Sequence, residues 1–537
     1  MNFFNLNAPY KSAAASLLGS EKVDYAAMID FQFTSGNRAC ECIASTSVYN
    51  HLCSAKQTIE TCDPDDWDEM KKVTNPYEYI HTAVPGHKYP VSKLKPLSRS
   101  FYKMIEIIKQ CKLLPSYRMP FSSTTGGSND YHAPYYHKYY NKHGSGTGYG
   151  SGYGSGYGSG YGSGYGSGSG YSYGRGGGGY NKRYYHANSG NGFYKHVETN
   201  GSRDPKVSGA DSDAAVVNGT GTEPGIRSFH LAEGPGGFIE ALCYLRANPN
   251  DTYYGMTLVD DAPNSACPGW KKSRLFLEKN PCVKLEYGKD GTGNLLSLDN
   301  YLHCCEKYRH SMDVITADGG FDFSSNFNHQ EVLAQTLVVS EVLYALSLQK
   351  PGGTFVLKIF DTFTRVTVDI IHLLAVFYLD VIIIKPNTSR VANSEKYIVC
   401  KGFKLSEVND NINIIDIFRT FFEKLNTAKG VQGSGSGSGS GIGAILRSCD
   451  YHKLHIIHRI EEVNAILGQQ QIENIISTVA LVHGKPADRV DIYKKAHIQK
   501  CVDWCERYNI PYNKHSVTTN TFMHATLPAA SAAAAGM

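Results

Sequence analysis

Apolar residues recur in two rhythms through the middle of the chain. Short apolar runs predict strands: Ser228-Phe-His-Leu-Ala232, Tyr253-Tyr-Gly-Met-Thr-Leu258, Met312-Asp-Val-Ile-Thr-Ala317, Thr354-Phe-Val-Leu-Lys-Ile-Phe360, Val381-Ile-Ile-Ile-Lys385 and Lys396-Tyr-Ile-Val-Cys400. Between them, Gly237–Leu245 and Gln330–Leu348 carry apolar residues at helical spacing, the second stopped by Lys350-Pro-Gly-Gly353. Strands alternating with helices predict an α/β fold, a mostly parallel sheet covered by helices on both faces. In such a sheet the ligand crevice lies beyond the carboxyl ends of the strands, and Glu233, Asp318 and Lys358 all fall at or near those ends. Helical spacing also appears in Ser100–Gln110 and Ile456–Leu467.

Composition divides the rest of the chain. From about His143 to Tyr180 the repeat Tyr-Gly-Ser-Gly leaves too little apolar volume to offset the entropy of ordering, so disorder is expected there and in its flanks, 112–225. A Gly/Ser alternation at 433–441 reads as a flexible linker. The expected organisation is an N-terminal accessory region at 1–97, a catalytic-type domain at 98–425 interrupted at 112–225, a linker at 426–441, and a C-terminal accessory region with a loose tail at 442–537. A net charge of +4 is too small to argue for nucleic acid by itself, so any basic cleft must be local. No run reaches the apolar length of a membrane span, and the first residues lack the zones of a signal peptide, which points to an intracellular protein, cytoplasmic or nuclear, with no membrane partner. The 14 cysteines include no CxxC pair and no histidine at zinc-finger spacing, which favours free thiols in a reducing compartment. His452, His455 and His458 lack a fourth ligand, so no metal is expected.

The chemistry sits in five short segments. Glu233-Gly-Pro-Gly-Gly-Phe238 joins a strand to a helix, where glycines permit a sharp turn and close approach to a ligand. It is neither a dinucleotide fingerprint nor a phosphate loop, since no Lys-Ser/Thr follows. The others are Ser98-Arg-Ser-Phe-Tyr-Lys-Met104, Thr316-Ala-Asp-Gly-Gly320, Val356-Leu-Lys-Ile-Phe360 and Ala392-Asn-Ser-Glu-Lys-Tyr-Ile-Val399. A lysine inside an apolar strand, as at Lys358, is unusual because isolated buried charge is costly.

In order and content these segments resemble the FtsJ-like RNA 2′-O-methyltransferases, whose fold is a Rossmann-like sheet dependent on S-adenosylmethionine. The resemblance implies a Lys-Asp-Lys-Glu tetrad of Lys103, Asp318, Lys358 and Glu395. It also implies a cofactor site at Glu233, Gly234, Pro235, Gly236, Gly237, Phe238 and Asp318. Lys289-Asp-Gly-Thr-Gly-Asn294 resembles a later family loop, which makes Asp290, and more weakly Asn294, adenosine contacts. Methyl transfer to a ribose hydroxyl is an in-line displacement needing alignment and a better nucleophile. Lys358 would provide this, as an ammonium that stabilises developing alkoxide or as a neutral amine that takes the proton; Asp318 and Glu395 would orient it, and Lys103 would hold the acceptor.

Arg390-Val-Ala-Asn-Ser-Glu-Lys-Tyr-Ile-Val-Cys-Lys-Gly402 and Asn75-Pro-Tyr-Glu-Tyr-Ile80 resemble the cap-specific mRNA branch, and the general build resembles versions in large DNA viruses, which would add a virion-associated location. The partners implied are capped mRNA and other capping or transcription components. Over a hundred residues separate Lys103 from the cofactor loop, a departure from relatives that costs only logarithmically in loop entropy. Trp270-Lys-Lys-Ser-Arg274 and Lys385-Pro-Asn-Thr-Ser-Arg390 are basic segments suited to phosphate contacts. The alternatives are the same chemistry on ribosomal or transfer RNA, and an inactive methyltransferase fold serving as an RNA-binding subunit of a capping complex.

Overall fold

The computed structural model describes residues 2–6, 25–35, 41–114, 224–259, 267, 269–320, 327–404, 413–430, 440–447, 450–484 and 487–513. All of them belong to one compact unit; the other unit, Lys142–Thr222, lies outside the described residues, as does the insertion expected at 112–225 except at its edges.

In chain order the elements are β1 (Asn2–Asn5), β2 (Ile29–Ser35), α1 (Thr46–Gln57), α2 (Pro64–Val73), α3 (Ser100–Cys111), β3 (Arg227–Leu231), α4 (Gly237–Arg246), β4 (Thr252–Met256), α5 (Arg274–Lys279), β5 (Val283–Glu286), α6 (Leu298–Tyr308), β6 (Met312–Ala317), α7 (Gln330–Leu348), β7 (Gln349–Ile359), α8 (Arg365–Phe377), β8 (Tyr378–Lys385), β9 (Lys396–Phe403), α9 (Ile414–Gly430), β10 (Ser440–Leu446), α10 (Asp450–Gly484) and α11 (Ala487–Tyr508). Eight strands form one sheet in the order β1-β8-β9-β7-β6-β3-β4-β5. The run from β5 to β7 is parallel, β9 enters antiparallel between β7 and β8, and β1 closes the far edge antiparallel to β8. This is the α/β architecture that the alternating pattern predicts, with the six expected strands in place.

The continuous apolar strands are explained by burial on both faces. In β7, Phe355, Leu357 and Ile359 enter one core with residues of α6, α7, α8, α9 and the start of α10. Val356 points the other way, into a second core with α3, α4 and α11. A third, smaller core joins Leu52 and Ala55 of α1, Trp67 of α2 and Ile472 and Ile475 of α10. The terminal regions therefore supply helices to the same packed layers that cover the sheet.

Three features differ from expectation. Helix α9 runs to Gly430 and β10 begins at Ser440, so the linker expected at 426–441 shrinks to 431–439, which lies outside the described residues. Phe418, Phe421, Phe422 and Leu425, all buried at helical spacing, carry α9 past the compositional boundary. Lys350-Pro-Gly-Gly353 stops α7 but lies within β7, which starts at Gln349. Finally, α7 is long and apolar enough to cross a membrane, contrary to the expectation that no segment is, yet 78% of that stretch is buried inside the protein as a core helix.

Candidate functional site

From β3 the sheet order runs to β4 and β5 on one side, and from β6 to β7 on the other. The carboxyl ends of β3 and β6 thus form a topological switch point, the place where an open α/β sheet leaves a ligand crevice. Both the Gly-rich loop and Asp318 emerge there.

The loop is held by its acid. Glu233 Oε1 accepts from Phe238 N at 2.7 Å and Ile239 N at 3.3 Å, satisfying two free amides at the start of α4. Its second oxygen, Oε2, is buried without a hydrogen-bond partner among the described residues. Burial, then the charge of Asp318, pushes the Glu233 carboxyl well up. Gly236 has φ +107°, a conformation that side chains rarely adopt, and an added Cβ would meet Trp270 at 3.4 Å and Leu97 at 3.5 Å. At Gly237 an added Cβ would lie 2.1 Å from Ser100 Oγ and 2.2 Å from Ser98 Oγ. Its bare backbone therefore lets the start of α3 lie against the loop, and α3 carries Lys103. Gly234 packs on the Gly269 carbonyl, the Pro235 carbonyl accepts from Ser273 Oγ, and the buried Phe238 ring lies 6.0 Å from that of Tyr397.

The four polar residues singled out from the sequence converge as two ion pairs. Lys103 Nζ lies 2.7 Å from Glu395 Oε1, across 292 residues of chain. Lys358 Nζ lies 3.2 Å from Asp318 Oδ1 and donates to the Asp318 carbonyl at 2.6 Å. Burial pulls the Lys103 ammonium down, with Glu395 and Asp318 opposing. Burial would also lower Lys358, but Asp318 and Glu395 outweigh it and keep its pKa above the ordinary lysine value. Burial raises the Glu395 carboxyl, and Lys103 followed by Lys358 reverses this and holds it well below the usual range. Desolvation prevails at Lys103, whereas the opposite charges prevail at Lys358 and Glu395.

Tyr397 was not picked out from the sequence. It pairs with Lys358 across the β7–β9 ladder and donates to Asp318 Oδ1 at 3.3 Å. Two positions beyond Glu395, it follows the strand alternation that sends both side chains the same way, a signal legible in hindsight. Glu341 of α7, fully buried, was missed as well, because an isolated acid in the mostly apolar second half of a helix carries no motif.

Asp290 and Asn294 lie apart from these pairs, in the loop after β5. Asp290 Oδ1 accepts from Thr292 N at 2.9 Å and Asn300 Nδ2 at 2.8 Å; Asn294 Oδ1 accepts from Leu296 N at 3.0 Å. That loop joins the end of β4 through Val259 N to the Thr292 carbonyl at 2.8 Å, so it borders the carboxyl edge of the sheet.

One basic segment does different work from that expected. Lys385 Nζ donates to the carbonyls of Asn393 and Glu395 at 2.7 and 2.8 Å, bracing the turn that presents Glu395. Arg390 pairs with Glu78. Both were expected to contact phosphate; the need to neutralise buried groups engages them internally instead. In the other segment Lys271, Lys272 and Arg274 are exposed, whereas Trp270 packs on Gly236 and Gly255. Glu106, one turn after Lys103 on α3, accepts from Asn387 N, Thr388 N and Trp504 Nε1, tying α11 to the 386–389 loop. Lys56 of α1 pairs with Asp361 at 3.0 Å, and Lys396 approaches the same carboxylate at 3.8 Å.

The model of the FtsJ-like methyltransferase family matches residues 206–403, which include Asp318, Lys358 and Glu395 but not Lys103. The chain is 42% identical over 133 residues to cap-specific mRNA (nucleoside-2′-O-)-methyltransferase 1 of Trypanosoma brucei brucei, covering 24% of this chain and 34% of that protein. The human protein of the same name is 33% identical over 198 residues, covering 35% and 23%. These alignments span only a fifth to a third of the relatives' own length. Among solved structures, Aeropyrum pernix fibrillarin in complex with S-adenosyl-L-methionine is similar at 18% identity and TM-score 0.22, covering 33% of this chain and 67% of that one. From the matched segment and the sheet that contains it, the chain carries an FtsJ-like methyltransferase domain.

Proposed function

We propose that this chain transfers a methyl group from S-adenosylmethionine to the ribose 2′-hydroxyl of a cap-proximal nucleotide of mRNA. The observation that carries this reading is the convergence of Lys103–Glu395 and Lys358–Asp318 beside the Gly-rich loop at the switch point of the sheet. The similarity to relatives named as cap-specific mRNA methyltransferases supports the choice of acceptor.

The residues present fit the cofactor. Glu233 Oε2 is a buried acceptor without a partner among the described residues, suited to a cationic donor such as an amino group. Glu233 to Phe238 and Asp318 would hold the methionine half, with Asp290 and Asn294 toward the adenosine half. When bound, S-adenosylmethionine supplies an electrophilic methyl group already activated by its sulfonium. What remains for the protein is orientation and charge. Lys358, kept cationic by Asp318 and Glu395, stabilises negative charge as it develops on the ribose oxygen. The methyl group would pass to the ribose oxygen that Lys358 stabilises, with the hydroxyl proton released to water. Lys103, braced by Glu395, holds the acceptor from the other side.

The test uses purified protein and cofactor carrying a labelled methyl group, with capped and uncapped RNA of identical sequence. The expected product is a 2′-O-methyl group within the first two transcribed nucleotides, located by nuclease digestion and mass spectrometry. Loss of the stacked cap base should cost about 1–3 kcal/mol, roughly five- to a hundredfold in affinity. Equal activity on uncapped RNA, or a methyl group inside structured RNA, would move the assignment to ribosomal or transfer RNA. No transfer to any RNA, with the cofactor bound, would indicate an RNA-binding subunit.

A further inference from the structure

Besides Glu331 in its first turn, helix α7 places a second acid, Glu341, fully buried in its mostly apolar second half. Its carboxyl is sealed from solvent, and the donor that faces it among the described residues is the backbone amide of Gly319, whose pull opposes the effect of burial. A buried carboxyl with so few donors is costly and calls for an explanation at its position. The backbone it abuts is that of Gly319: a Cβ there would lie 2.2 Å from Glu341 Oε1 and 2.8 Å from Leu337 Cδ2. On the next residue, a Cβ at Gly320 would lie 3.3 Å from Lys358 Nζ. The Asp318-Gly-Gly320 loop is thus a thin sheet of backbone between Glu341 and Lys358, and its two glycines are the residues that let both polar groups approach.

We propose that Glu341 is a positioning residue of the transfer site: wedged behind Gly319, it fixes the 318–320 loop that carries Asp318, and its protonation state sets the charge that Lys358 feels through that loop. The proposal rests on the reading of this site as the methyl-transfer site. The charged groups facing Glu341 are Asp318 after β6 and Lys358 on β7. On the α6 side, Tyr301, Cys304 and Cys305 are buried and keep their protons well above neutrality. On α8, the Asp369 carboxylate is engaged by Ile445 N and Leu446 N at 3.0 and 3.2 Å, and His372 is buried. Burial pushes the Glu341 carboxyl up to about 8, Lys358 pulls against this, and Asp318 adds to it. At neutral pH Glu341 is therefore a neutral acid that leaves the Lys358–Asp318 pair balanced; at higher pH it becomes a second anion behind the loop.

Glu341→Gln keeps the shape and the neutral charge and removes the titration. Turnover and melting temperature are followed from pH 5 to pH 9.5 for this variant and the wild type. The expected wild-type kcat profile bends near pH 8, the bend is absent in Glu341→Gln, and KM for RNA changes less than twofold. Glu341→Leu, which also removes the polar contact, should lower kcat about ten- to a hundredfold through loss of alignment. Linkage supplies a readout free of activity. A carboxyl raised on folding leaves the unfolded chain the easier one to ionise between pH 4.5 and 8, so wild-type stability falls across that window and the Gln variant's does not. The melting temperature of Glu341→Gln relative to wild type should therefore climb by several degrees from pH 5 to pH 8. An unchanged kcat profile in the variant, or a melting difference that is constant with pH, overturns the proposal. Should the wild type prove inert on every RNA, the functional reading fails, and the melting comparison alone decides whether Glu341 is the buried neutral acid described.

Discussion

Glu78 and Arg390, separated by 312 residues, form a two-point ion pair, Arg390 Nη2 donating to Glu78 Oε1 at 2.6 Å and Nε to Oε2 at 3.0 Å. The Glu78 side chain is 1% exposed and also receives Asn75 Nδ2 at 2.6 Å and Arg99 at 3.4 Å. Two segments that each resemble the cap branch, 75–80 and 390–402, are therefore one physical device: the pair anchors the turn between β8 and β9 from which Glu395 projects. Fork-to-fork geometry of this kind requires arginine.

Breaking that device should loosen the turn. Arg390→Ala leaves Glu78 buried with a reduced partner set and is expected to destabilise the protein by roughly 2–4 kcal/mol, below the full value for a buried pair because Arg390 is partly exposed. Arg390→Lys restores charge without the fork and should recover less than half. Denaturant titration measures both; a loss under 0.5 kcal/mol, on the scale of about 0–1 kcal/mol for surface pairs, would show the pair to be a surface ornament.

Acid should release the same anchor. Burial raises the Glu78 carboxyl, but the Arg390 hydrogen bonds and the Arg99 charge reverse this and hold it well below its ordinary 4.5. A carboxyl depressed on folding contributes stability that is present above the unfolded value and lost as pH falls toward the folded one. Wild-type stability should therefore drop below about pH 4.5, and the drop should be smaller in Glu78→Gln, which starts from a less stable state. Parallel stability curves below pH 4.5 for the two proteins would contradict this.

Lys358→Ala should reduce methyl transfer by at least about a hundredfold, the scale for removing a group that stabilises charge developing in the transition state. Cofactor affinity, measured by calorimetry, should change little, because the role proposed for Lys358 is on the acceptor. A variant retaining a tenth of wild-type turnover would remove Lys358 from the reaction.

Gly236→Val should do the reverse. The residue sits at φ +107° with Trp270 and Leu97 within 3.5 Å of an added Cβ, so a branched side chain distorts the loop that would receive the methionine half of the cofactor. Cofactor affinity is expected to fall at least tenfold. Unchanged affinity would mean the loop serves only to pack α3 and α4.

Replacing 143–180 with a short Gly/Ser linker should leave melting temperature and basal activity unchanged, since that composition contributes no apolar core. A fall of many degrees would show that the segment packs against the domain.

The sequence by itself determined most of the central elements and which ionisable residues stand among them. Apolar runs of strand length buried on both faces located six strands of the sheet, and an ionisable residue in such a run, Lys358, marked the site, because burial there requires a reason. Asp318 and Glu233 were legible for the same cause, polar residues placed at strand ends. Tertiary structure alone decided the partners. Lys103 faces Glu395 only because α3 lies against Gly237; Arg390 and Lys385 looked like free cations until Glu78 and the 393–395 carbonyls claimed them. Strands β1, β2, β5 and β10 are too short or too mixed to stand out from their neighbours, and their residues take that form through pairing with strands distant in sequence. Apart from Asn75–Ile80 the terminal regions carry no motif, yet α1, α10 and α11 complete the packed layers of the fold. Local sequence encodes which groups are polar inside an apolar run, whereas ion pairing and burial depend on chain segments hundreds of residues apart, a relation written only in the fold.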